Sequence, residues 1–207
     1  MEYLDYYDEE GNNLGFKTKE EIHTEGLWHN VIYFWLYDEE GSIYFQIKKD
    51  SNKFCMTSSG HVLKDETSDD ALKRKVLEDL GIEIDNCDVD LADSITCEYS
   101  ETLNDGSAWI DRIKVDIFTS LYKGDLSDFN FDKNNVSGII KVNACEVLEL
   151  FENEKGTIVA TLVTQDDSGK INVTQKDVSI DEFLVNSRET AFVKYGDILN
   201  KLIEEVY

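Results

Sequence analysis

The stretch beginning at Thr57, TSSGHVLKDETSDDALKRKVLEDLGIEI, constrains the fold most, because it contains an amphipathic helix with both ends marked. Thr67 or Ser68 suits the N-cap, where a hydroxyl oxygen accepts from the unpaired N–H groups of the first turn, and acids follow at once. Leu72, Val76 and Leu80 recur every four residues as one apolar stripe, which Ala71 and Leu77 widen. Arg74 and Glu78 fall on the opposite side, with Lys75 and Asp79 on the flank between them. Gly81 is a natural C-cap.

Strands surround this helix. The first 25 residues carry turn signals at DEEGNNLG and HTEG and predict a short hairpin or lead-in. From His29, HNVIYFWLY is apolar on both faces and rich in β-branched and aromatic residues, which predicts a buried strand. DEEGS turns the chain into a returning strand, IYFQIK. Beyond the helix, VDLADSITCEYS and IDRIKVDIFTSLY flank a turn at LNDGSAW. DLSDFNFDKNNVSGIIKV reads as a loop entering a strand, and NACEVLELFENE as a short helix capped by its Asn. GTIVATLVT and KINVTQ, joined by QDDSG, predict a β-hairpin. Ile180 to Tyr207 is a helical tail anchored by Phe183, Leu184, Phe192, Ile198, Leu202 and Val206. This order predicts an α/β protein of the α+β type and not a doubly wound one. Residues 1–152 form the main domain with its lead-in, and residues 153–207 a hairpin and helix packed on the same domain.

A chain of 207 residues can bury a sizeable core. Its net charge of −24 limits what it can bind. Nucleic acid and anionic membranes would be repelled, and no cluster of Lys and Arg offsets this, so neither is expected as a partner. An anionic small molecule would need a divalent cation to bridge it to the acids. No apolar run is long enough to span a bilayer, and the acidic start MEYLDYYDEEG is unlike a secretory signal, so a cytoplasmic location is expected. Cys55, Cys87, Cys97 and Cys145 lack CxxC spacing and are expected as thiols. His23, His29 and His61 are too few and too scattered in sequence to predict a metal cluster, and each alone predicts a structural or surface role.

The opening stretch resembles the Nudix box: G, five residues, E, seven residues, then R-E-U-x-E-E-x-G-U, with U a bulky aliphatic residue. The chain has Gly60, Glu66, then Arg74-Lys75-Val76-Leu77-Glu78-Asp79-Leu80-Gly81-Ile82, so the spacing holds from position 60 to 82. HTEGLWHNVIYFWLYDEEGSIYFQIKKDSNKF with the following SSGH resembles the branch of isopentenyl-diphosphate-isomerase-like Nudix hydrolases, and NNVSGIIKVNACEVLELF a later family segment. The resemblance covers about Asp8 to Phe151. It implies a Nudix fold, with a mixed β-sheet packed between helices and here a C-terminal hairpin and helical extension. It also implies hydrolysis of a nucleoside diphosphate derivative or related organic diphosphate with Mg2+ or Mn2+. The implied metal ligands are Glu78, Asp79, Glu66 and the backbone carbonyl at Gly60. Glu66, Arg74 and Glu78 are the implied catalytic group, with Arg74 pairing with Glu66 to hold loop to helix. Lys75 and His61 are left as substrate contacts. The isomerases of the branch use a metal ligand where His61 stands, which hydrolases with the same Gly-His do not require.

The pattern also breaks. Lys75 replaces a metal-binding Glu with a hydrated cation, and Ile113 and Asn135 stand where the family has acids. Ser59 occupies the place of the isomerases' Cys, and Cys55 lies four residues earlier, which argues against isomerisation. Two functions follow: a metal-dependent pyrophosphohydrolase with an altered site, or a catalytically degenerate Nudix domain that binds a nucleotide or a protein. A homodimer through the C-terminal hairpin and tail fits either.

Overall fold

In chain order the elements are β1 (Tyr3–Tyr7), β2 (Asn13–Thr18), α1 (Lys19–Glu25), β3 (Trp28–Tyr37), β4 (Ser42–Lys48), β5 (Phe54–Cys55) and β6 (Ser58–His61). They continue with α2 (Ser68–Leu80), β7 (Val89–Thr102), β8 (Ala108–Leu121), β9 (Val136–Asn143), α3 (Ala144–Phe151), β10 (Thr157–Gln165), β11 (Ile171–Ser179) and α4 (Arg188–Val206). The computed structural model describes residues 1–84, 89–103, 105–152, 156–184 and 188–206, with side chains for all but 188–194 and 205. The predicted α+β class is what these elements form, a large antiparallel sheet with helices. The chain divides into two units: Met1–Phe34, Ser59–Lys75 and Leu91–Phe118 form one, and Trp35–Ser58, Val76–Asp90 and Thr119–Tyr207 the other.

In the first unit β1 and β2 form an antiparallel hairpin, from Tyr3 opposite Thr18 to Tyr7 opposite Asn13. A helix follows at once where the sequence predicts only a lead-in. Thr18 caps α1 through a capping box with Glu21, and Gly26 closes it in the left-handed conformation, φ 64°. Seven residues are too few to leave a helical hydrophobic period, and only Ile22 and His23 of α1 are buried. β6 runs on into Val62, whose N–H donates to the Asn30 carbonyl at 3.0 Å. β7 and β8 pair as a hairpin. Val31, Ile113 and Val115 form an apolar cluster against Tyr33, Cys97 and Ile117.

In the second unit Leu36 and Tyr37 of β3 pair with Tyr44 and Ile43 of β4. β4 pairs with β9 from Ser42 opposite Asn143 to Lys48 opposite Val136. β9 pairs with β10, and the predicted hairpin is β10 with β11, Thr157 opposite Ser179 through Gln165 opposite Ile171. All these pairings are antiparallel. Gly138 takes φ +154°, and a Cβ there would lie 2.3 Å from the Val163 carbonyl oxygen, so this meeting of β9 and β10 needs glycine. Aromatic rings fill the core edge to face, Trp35 on Phe45 at 5.2 Å, and Phe45 and Phe151 each on Phe183 at 5.1 Å.

The α2 helix starts as the sequence predicts. The Thr67 hydroxyl accepts from the Asp70 N–H and the Asp70 carboxylate accepts from the Thr67 N–H. Ala71, Leu72, Val76 and Leu80 are buried, but Leu77 is 51% exposed, so the stripe is narrower than predicted. In the tail Phe183, Ile198 and Leu202 are buried as expected, whereas Leu184 is exposed. The Phe192 side chain and Cys87 lie outside the described residues. Cys55, Cys97 and Cys145 are free thiols. Among the described residues no helix is long and apolar enough to cross a membrane.

Candidate functional site

A tight turn precedes α2. The Glu66 N–H donates to the Leu63 carbonyl, the Leu63 N–H donates to Glu66 Oε2 at 2.8 Å, and Asp65 between them takes φ +62°. Both Glu66 oxygens also receive Arg74: Nε on Oε1 at 2.7 Å and Nη2 on Oε2 at 2.8 Å. The planar guanidinium matches the planar carboxylate, which gives this pair direction as well as charge. Arg74 Nη2 donates in addition to the His61 carbonyl at 3.0 Å, so one side chain ties the helix to both β6 and the turn. Partial burial of Glu66 would raise its pKa, but the Arg74 bonds and the Leu63 N–H outweigh this and hold it below the ordinary value.

Lys75 lies against Gly60. A Cβ at position 60 would fall 2.7 Å from both Cγ and Cδ of Lys75, so the lysine stem occupies the space that the glycine leaves. The two acids after it differ sharply. Glu78 is exposed. Asp79 is 3% exposed and accepts from the Ser58 hydroxyl at 2.6 Å. Successive helix residues are turned by about 100°, so neighbouring carboxylates readily part in this way. Ile113 is buried in the apolar cluster, and exposed Asn135 donates from its side chain to Asp132 at 2.6 Å. The candidate donors here are all oxygens, a chemistry suited to Mg2+ or Mn2+, with the Lys75 ammonium standing where one carboxylate would be.

The first unit also holds a group that sequence spacing does not predict. His23, His29, His61 and Asp111 each offer a ligand atom, and the four atoms lie within 4.8 Å of one another. His23 comes from α1, His29 from β3, His61 from β6 and Asp111 from β8. All three histidines of the chain therefore meet, correcting the expectation of scattered, separate roles. His23 Nε2 lies 3.0 Å from Asp111 Oδ1 and 3.3 Å from His61 Nε2. His23 Nδ1 meets the Lys19 carbonyl at 2.6 Å, and His29 Nδ1 the Leu27 carbonyl at 3.0 Å. Trp109 stacks on His23 with ring centroids 4.0 Å apart. Burial pushes the His29 pKa down to about 4 and that of His61 to about 2, so both rings are neutral near pH 7. Burial would raise Asp111, but the His23 contact holds it below the usual carboxylate value.

No family model matches the chain. An uncharacterized Nudix hydrolase of Clostridium acetobutylicum is 26% identical over 191 residues, covering 88% of this chain and 90% of that protein. A solved Deinococcus radiodurans protein shares the fold, with a TM-score of 0.54 at 19% identity over 74% of this chain and 90% of that one. The box spacing from Gly60 to Ile82, the Arg74 clamp on Glu66 and a Nudix relative matched over nearly its whole length agree, and the chain is similar to Nudix hydrolases in sequence and in fold.

Proposed function

We propose that the chain is a hydrolase of a nucleoside diphosphate derivative or related organic diphosphate that works with Mg2+ or Mn2+. The observation that carries this proposal is the two-pronged bond from Arg74 to Glu66, which fixes the turn after β6 on the helix at the family spacing. Glu78, exposed on α2, is the ligand best placed to take an ion from solvent, whereas the Asp79 carboxylate is buried against the Ser58 hydroxyl. A bound divalent ion would neutralise phosphate charge and activate water. Arg74 positions the loop and does not react. Lys75 supplies a positive charge for a phosphate oxygen, and its stem is held over Gly60. His61 follows Gly60 in β6, and its backbone carbonyl is taken by Arg74.

The test is phosphate release from a panel of nucleoside diphosphate sugars, dinucleoside polyphosphates and prenyl diphosphates. Each is assayed with Mg2+, with Mn2+ and with excess chelator. Turnover of at least one substrate class that chelator stops is expected. An inactive wild type that gains activity only as Lys75→Glu would overturn the proposal in favour of a degenerate binding domain.

A further inference from the structure

Among the described residues, β7 has β8 as its one neighbouring strand, so its far side is an edge. Three contacts between the two strands lie on a single register. The Leu103 N–H donates to the Ser107 carbonyl at 2.8 Å, Arg112 Nε to Glu98 at 2.9 Å, and the Ser94 hydroxyl to Asp116 at 2.6 Å. Leu103 is thus a bonded position. Bonding alternates along an antiparallel pair, so the odd-numbered residues of β7 direct their N–H and C=O groups to β8. Ser94, Thr96, Glu98 and Ser100 direct theirs to the outer edge. The Ser94 N–H agrees with this, since it donates to the carboxylate of its own neighbour Asp93 at 2.8 Å.

The odd-numbered side chains stand on the apolar face of the sheet, where Cys97 packs on Val31, Ile113 and Val115. Beyond Cys97 the cover ends. Leu91, Ile95 and Tyr99 follow one another at four-residue steps on this face and are 59%, 38% and 55% exposed. A long strand edge beside an exposed apolar row is a template for another strand. We infer that this edge pairs with the same edge of a second copy of the chain, antiparallel about a two-fold axis at Ile95.

The axis follows from the order of residues in VDLADSITCEYSET. With Ile95 opposite its own copy, Ser94 and Thr96 face each other and exchange bonds from their outward groups. Leu91 falls opposite Tyr99, so the apolar row continues across the axis. No acid meets an acid: Asp93 faces Cys97, and Glu98 faces Ala92. An axis at Ser94 would set Asp90 against Glu98, and one at Cys97 would set Asp93 against Glu101. An axis at Thr96 would set Leu91 against Glu101 and Tyr99 against Asp93. The strands that end the sheet order fit a second copy less well. β2 is six residues long with a register shift in its pairing to β1, and on β11 Val173 is the one large apolar side chain exposed among the described residues.

Each copy carries a net charge of −24, so repulsion opposes the pair and salt, by screening it, favours the pair. One strand from each side is a small interface, so the association is weak and depends on concentration. It holds whether or not the chain is a hydrolase.

The experiment follows the mass of the full chain by sedimentation, over about a hundredfold range of concentration and at low and high salt. A monomer–dimer equilibrium that shifts toward dimer with added salt is expected. Ile95→Asp sets two carboxylates face to face and should weaken the dimer at least about tenfold. Val173→Asp, on β11, should leave it unchanged. Under a mild oxidant Ile95→Cys should form a disulfide-linked dimer, because directly opposed side chains lie within reach of one another. Leu91→Cys, whose two copies are far apart in this register, should cross-link no more than wild type. The inference is overturned if wild type stays monomeric throughout, or if folded Ile95→Asp associates as tightly as wild type. It is overturned equally if Val173→Asp abolishes the dimer or if Leu91→Cys cross-links as readily as Ile95→Cys.

Discussion

Arg74 holds both oxygens of Glu66, at 2.7 and 2.8 Å, and with its remaining reach takes the carbonyl of His61. Loop and helix are thus joined by one side chain. Arg74→Ala should lower stability by about 1–2 kcal/mol, because three charge-assisted bonds are lost at a half-buried position. Urea unfolding of the variant against wild type measures this, and Arg74→Lys should recover only part, since an ammonium cannot match the planar carboxylate.

The same pair makes stability depend on pH. Glu66 in the folded chain titrates below its ordinary value of 4.5, despite the opposing effect of burial. Its contribution is therefore complete above the unfolded value and is lost as pH falls through the lower folded one. Unfolding free energy followed downward from pH 6 should drop less steeply in Glu66→Gln than in wild type. Equal slopes would show that the bond adds nothing to acid stability.

Ser58 and Asp79 make a second, buried bond of 2.6 Å. Ser58→Ala removes one donor from this buried carboxylate, at a cost of about 1–3 kcal/mol. Thermal unfolding reads this directly, with Ser58→Thr expected to lie nearer wild type.

Lys75 and Gly60 share one volume. Gly60→Ala should destabilise wild type by about 1–3 kcal/mol through overpacking and cost much less in a Lys75→Ala background. A double-mutant cycle gives the coupling. Additive effects would mean that the lysine stem moves aside freely.

How much of this was legible in the sequence depended on range. The α2 helix showed itself through Leu72, Val76 and Leu80 at one period, a cap at Thr67 and Gly81 at its end, all local signals. The partnership of Arg74 and Glu66 came with the resemblance, and the structure contains it. Leu77 misled because periodicity places a residue beside a stripe without saying how wide the partner surface is; it is 51% exposed. The burial of Asp79 depends on Ser58, twenty-one positions earlier, and no helical period encodes that. The histidine cluster joins four segments between residues 23 and 111, so it becomes visible only when the strands are placed.

The most direct test of the proposed hydrolase is kcat/KM for Glu78→Gln against wild type, on the best substrate from the panel, at saturating Mn2+. Glu78 is exposed, so the change should leave the fold intact while removing the charge of the proposed metal ligand. A fall of at least about a hundredfold, some 2.7 kcal/mol of transition-state stabilisation, is predicted. Unchanged turnover in the variant would contradict a metal-dependent reaction at the Nudix box.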